Sequence, residues 1–102
     1  PAAPGMLSSH YAPRKKLLLG DIDALLTENA DSDIAVLGFR HTYGLPGIAL
    51  SPSGDTTEAA KNLFAAMREL DATPGDLILA ERLPDSGLGR AVNDRLSRAA
   101  FK

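Results

Sequence analysis

The chain has no cysteine. That excludes a disulfide scaffold, a thiolate metal site and a cysteine nucleophile, and it is compatible with a reducing cytoplasm. It also lacks a positive charge excess: eleven Lys and Arg stand against thirteen Asp and Glu, a net charge of −2. No net basic field therefore draws the whole domain onto nucleic acid or an anionic membrane. Apolar runs extend only a few residues, too short to span a bilayer. The first residue is Pro1, with neither an initiator Met nor the charged and apolar regions of a signal peptide. The expectation is a piece cut from a longer protein, with residues before Pro1 missing.

What is present is the balance of an ordinary soluble globular domain. Apolar residues make up 44% and charged residues 24% of 102, which allows one domain with one modest core. Residues 1–14, PAAPGMLSSHYAPR, hold three prolines and one glycine without apolar periodicity. They read as an extended arm, and residues 15–102 as the domain.

Within the domain, Leu17 to Leu19, Ile34 to Phe39, Ile48 to Leu50 and Leu77 to Ala80 are short apolar runs bounded by turn residues, as buried strands are. Asp21 is placed to cap a short helix with Ile22, Leu25 and Leu26 on its apolar face. Asp55 and Glu58 form a D-x-x-E variant of the capping box ahead of the clearest helix, whose stripe is Ala59, Ala60, Leu63, Phe64, Met67 and Leu70. A last helix is expected to bury Leu88, Ala91, Val92, Leu96, Ala99 and Ala100, with Arg90, Asp94, Arg98 and Lys102 outward. The order β-α-β-β-α-β-α predicts a small three-layer Rossmann-like α/β fold with a mostly parallel four-stranded sheet.

Chemical motifs are sparse. His10 and His41 have no partner at zinc-helix spacing, no G-x-S-x-G surrounds a serine, and no Walker-type loop occurs. Gly87-Leu88-Gly89 opens a helix after a strand, but Val92 occupies the third glycine position of a dinucleotide fingerprint, so two glycines easing a turn is the simpler account. In an open α/β sheet a ligand crevice lies beyond the carboxyl ends of the strands, which makes Arg40, His41, Ser53 and Arg82 its candidates here. Arg90, Arg95, Arg98 and Lys102 on the last helix either offer phosphates a basic strip or complement the helix dipole. The arm carries His10 and Tyr11 on a proline-stiffened segment, which suits either docking or a frayed terminus.

Pro4-Gly5-Met6 followed by His10-Tyr11-Ala12-Pro13 resembles the P-G-M-x-x-x-H-Y-A-P linker of the long form of the threonylcarbamoyl-AMP synthase family, in which a YrdC-type catalytic domain precedes a smaller α/β domain. Gly87-Leu88-Gly89, Ala91, Asn93-Asp94-Arg95-Leu96 and Ala99-Ala100 are similar to that smaller domain's closing helix. The resemblance implies that the parent enzyme condenses L-threonine, bicarbonate and ATP into threonylcarbamoyl-adenylate for tRNA threonylcarbamoyladenosine modification. It implies that ATP and Mg²⁺ belong to the absent catalytic domain, with no cofactor or metal on this chain. Pro4, Gly5, Met6, His10, Tyr11 and Pro13 become lid or cavity contacts to that domain, and tRNA and other modification proteins are indirect partners. Ser8 and Ser9 depart from the bulkier or basic residues common in the linker. From the residues alone, an independent nucleotide-binding module and a tRNA or protein docking module stay open.

Overall fold

The computed structural model describes residues 13–100. Its elements are β1 (Lys16–Gly20), α1 (Ile22–Glu28), β2 (Ile34–Gly38), β3 (Gly47–Ala49), α2 (Thr56–Ala72), β4 (Leu77–Glu81) and α3 (Leu88–Ala100). The strands form one four-stranded sheet in the order β1-β4-β2-β3, with every pairing parallel. β4 thus sits between β1 and β2, matching Leu77 with both Lys16 and Ile34.

That order explains the layers. The β1-to-β2 connection crosses the sheet in one direction and the β3-to-β4 connection in the other. Right-handed crossovers running in opposite directions must use opposite faces. Accordingly α1 covers one face, while α2 and α3 pack together on the other. Alternate strand residues serve the two sides. Leu17, Ala35, Leu37, Ile78 and Ala80 meet Leu63, Met67, Leu70, Val92 and Leu96 of the helix pair in the larger core. Val36, Leu77 and Leu79 meet Ile22 and its neighbours in the smaller one.

The β2-to-β3 connection, residues 39–46, carries no helix and is shorter than the dozen residues a parallel crossover usually takes. It succeeds because β3 pairs over three residues and because Tyr43 (φ 59°) and Gly44 (φ 74°) reverse the chain tightly, Leu45 N–H donating to Thr42 O. Gly47 lets β3 close on β2, since a Cβ there would lie 2.0 Å from Val36 O.

Local signals operate as expected at α1, where Asp21 Oδ2 accepts from Ala24 N at 3.0 Å. At α2 the expected reciprocal box is replaced. Asp55 accepts from Thr57 N, but the Asp55 N–H goes to Ser51 Oγ, which in turn donates to Glu58 Oε1 at 2.6 Å. Buried Ser51 therefore links both halves of the cap.

The last helix is rotated from the expected stripe. Leu88 (45% exposed) and Ala91 face out, while Gly89 and Asn93 face in. Asn93 is polar yet buried because its amide pairs with both backbone groups of Leu83: Leu83 N donates to Oδ1 at 2.8 Å and Nδ2 donates to Leu83 O at 2.9 Å. Gly89 is buried because the helix start lies on the loop, where a Cβ would approach Pro84 O to 2.0 Å.

Candidate functional site

The four crevice candidates follow three different strands and do not converge on one group. Arg40, after β2, is exposed and lies over Gly54, whose ideal Cβ would be 3.3 Å from Arg40 Nε. Ser53, after β3, is exposed with its Oγ 3.3 Å from Ser51 Oγ. His41 is exposed, its ring 4.3 Å from that of Tyr43, and its Nδ1 accepts from Tyr43 N at 3.3 Å. Arg82, after β4, borders a hollow of about 240 Å³ with Gly20, Asp21, Ile22 and Glu81. The same arginine borders a second, of about 400 Å³, walled by Leu18, Leu19, Leu25, Ser97 and Ala100. The smaller hollow lies between the carboxyl ends of β1 and β4, whose following helices leave to opposite faces, the switch point where α/β sheets hold ligands.

The group tying the strand ends together is Glu81. Its Oε1 accepts from Phe39 N at 2.8 Å and its Oε2 takes a short hydrogen bond from the Tyr43 hydroxyl. Donating to this carboxylate, burial, and the charges of Glu81, Asp23 and Asp21 together push the Tyr43 phenol up to about 12. Tyr43 is not among the candidates that the sequence motifs single out, since nothing in the linear pattern pairs it with Glu81. The residue's left-handed backbone, uncommon for a tyrosine, only becomes visible in the turn. Gly38 permits the same arrangement, since a Cβ there would meet His41 O at 1.9 Å.

The basic residues of α3 do not make one strip. Arg90 Nε lies 3.6 Å from Asp85 Oδ1, and Arg98 Nη2 lies 3.1 Å from Asp94 Oδ2. Arg95 turns instead over the Phe64 ring, 5.4 Å from its centroid, beside Ala60 and Ala91. Lys102 lies outside the described residues. So do Pro4, Gly5, Met6, His10 and Tyr11 of the arm.

The root of the arm is described. Pro13 is buried, and the Asp71 carboxylate near the end of α2 accepts from Arg14 N at 3.1 Å and from Lys15 N at 3.0 Å. In return the Lys15 ammonium donates to Leu70 O at 2.7 Å and to the Thr73 carbonyl, with Thr73 Oγ1 at 3.4 Å. Since β1 begins here, the arm joins the domain at the amino ends of the parallel strands. The crevice candidates sit at the other end.

A family model described as threonylcarbamoyl-AMP synthase, C-terminal domain, matches residues 1–101. The chain belongs to this family. A curated threonylcarbamoyl-AMP synthase of Pyrococcus abyssi is 36% identical over 96% of this chain, which spans 32% of that protein's length. The crystal structure of P. abyssi Sua5 complexed with L-threonine superposes with a TM-score of 0.73 at 32% identity, over 90% of this chain and 30% of that one. A separately solved C-terminal Sua5 domain from Pyrococcus horikoshii matches at a TM-score of 0.65 and 31% identity, covering 84% of this chain and 93% of its own. The threonylcarbamoyl-AMP synthase C-terminal domain thus accounts for the fold and for nearly the whole chain. Among the described residues no helix is long and apolar enough to cross a membrane, and no group of three or more His, Asp or Glu is placed to hold a metal.

Proposed function

We propose that this chain is the accessory domain and lid-forming linker of a cytoplasmic enzyme that makes threonylcarbamoyl-adenylate from L-threonine, bicarbonate and ATP, for tRNA threonylcarbamoyladenosine modification. By itself it is not catalytic. The observation that carries this reading is the match of residues 1–101 to the family's C-terminal domain, in a chain spanning 32% of a full-length relative. The domain before it would hold ATP, which supplies the adenylyl group, and Mg²⁺. Pro4, Gly5, Met6, His10 and Tyr11 would contact that domain's cavity, where a lid excludes water and keeps substrates oriented, whereas Pro13, expected from the resemblance to join them, is fully buried at the root of the arm.

The geometry of the described residues supports an accessory role. At the strand ends Glu81 and Ser51 are engaged in holding loops and a helix cap, and Arg40, Ser53 and Arg82 are dispersed. The arm, by contrast, leaves from a firmly built root.

Pyrophosphate release from ATP, L-threonine and bicarbonate tests the proposal, using the catalytic domain expressed without its C-terminal part. Adding this chain should restore turnover, and His10→Ala with Tyr11→Ala should abolish the rescue. A detached catalytic domain that is fully active and indifferent to the chain would overturn the lid reading.

A further inference from the structure

The contacts at the arm's root are more than the sheet requires. β1 first pairs at Lys16, opposite Leu77, so the bonds made by residues 14 and 15 lie upstream of the strand ladder. They are also long-range, joining positions 55 to 58 residues apart.

Asp71 is a poor choice for α2 considered alone. It occupies the last turn, where the helix dipole disfavours a negative charge, and its side chain is only 11% exposed. A carboxylate shielded from water there needs strong hydrogen-bond donors. Among its donors are the consecutive backbone N–H groups of Arg14 and Lys15, one on each oxygen, with the exposed Arg14 guanidinium 4.0 Å away. Those two amides constrain the chain's path directly, because the backbone itself is gripped.

Lys15 completes the arrangement from the opposite side. Its ammonium meets carbonyls at the end of α2, the helix terminus that favours a cation. Thr73 adds its own hydroxyl bond to Leu70 O at 2.8 Å, so the acceptors Lys15 reaches are themselves held. The helix grips the arm's backbone and the arm's side chain grips the helix's backbone. Buried Pro13, with its fixed φ, stands immediately upstream.

We propose that Asp71 and Lys15 form a two-way staple that sets the direction in which the linker leaves the domain, making them positioning residues for the reaction of the attached catalytic domain. This rests on the reading of the arm as a lid. A lid joined to its support by a loose root spreads over many orientations, and only a few of them cover the cavity. A stapled root removes most of that spread before substrate arrives, so the staple acts on substrate capture and orientation.

Two measurements test the staple separately from the lid. The chain has no cysteine, so Arg14→Cys with Arg68→Cys, both exposed positions, places two spin labels across the root in the isolated chain, and the P. horikoshii domain shows that such a C-terminal unit folds alone. The label distance should be narrow, and should spread into a broad distribution when Asp71→Ala and Lys15→Met are added. An unchanged distribution overturns the staple. If Asp71→Ala does not fold, Lys15→Met alone carries the comparison.

In the full-length protein, Lys15→Met should raise KM for L-threonine and lower kcat/KM by about tenfold, while the unfolding midpoint stays near that of the parent and Lys15→Arg restores the parent KM. His10→Ala with Tyr11→Ala serves as the control. If that pair leaves turnover intact, the lid reading fails and the label distances still judge the staple. If it abolishes turnover while Lys15→Met keeps the parent KM, the lid stands and the positioning role of the staple is overturned.

Discussion

At the scale of single residues, the most consequential side chains are polar groups that take the place of backbone partners. Asn93 supplies Leu83 with one donor and one acceptor, as a neighbouring strand would, at the point where β4 has ended. Asn93→Leu should therefore destabilise the domain by about 2 to 4 kcal/mol in chemical denaturation, because two buried backbone groups lose their partners. Tyr43 gives a prediction with a sign. Its phenol is held protonated by donating to Glu81, and its pKa rises from the ordinary 10.0 to about 12. Between those values the folded state binds more protons than the unfolded one, so this contribution is complete below pH 10 and is lost as pH rises toward 12. Tyr43→Phe should lower stability at neutral pH by about 1 kcal/mol, and the difference between parent and variant should shrink across that alkaline window. A difference that stays constant to high pH would refute the assignment to the hydroxyl.

Among the elements, the start of α3 separates two uses of glycine that look alike in the sequence. Gly87 has a left-handed φ of 54° with nothing close to its ideal Cβ, whereas Gly89 faces the Pro84 carbonyl at 2.0 Å. Gly87→Ala should cost about 1 kcal/mol, the penalty of a left-handed alanine. Gly89→Ala should gain from helix propensity yet lose about 2 to 4 kcal/mol net, because the helix must lift away from the loop it packs on. Thermal unfolding of the two variants ranks them. The reverse order would mean that α3 relaxes without disturbing its neighbours. Gly87 thus serves the turn and Gly89 the helix–loop contact.

For the molecule as a whole, the two cores are unequal, and the stability of each region should follow. β4 lies between two strands and is covered on both faces, while β3 pairs over three residues at an edge and α1 has seven residues to cover its side. Native-state hydrogen exchange should find the slowest amides in β4 and β2 and markedly faster exchange in α1 and β3. Equal protection throughout would show a more uniform cooperative unit than this layering implies. The parallel sheet also separates the arm's root from the strand-end hollow beside Arg82, placing them at opposite ends of the strands.

Much of this was legible because it is local. The apolar runs of β1, β2 and β4, the Asp21 cap and the α2 stripe each declare themselves within a few residues, where hydrophobic period and capping chemistry are decisive. The family followed from the P-G-M and H-Y-A-P motifs of the arm, which a linear pattern preserves intact. What the tertiary structure alone decided depends on partners far apart in the chain. The strand order, the inward turn of Asn93, the Glu81 bond to Tyr43 and the grip of Asp71 on residues 14 and 15 leave no periodic trace. A hydrogen bond depends on where two groups meet in space, and that meeting is settled only when the sheet and its layers have assembled.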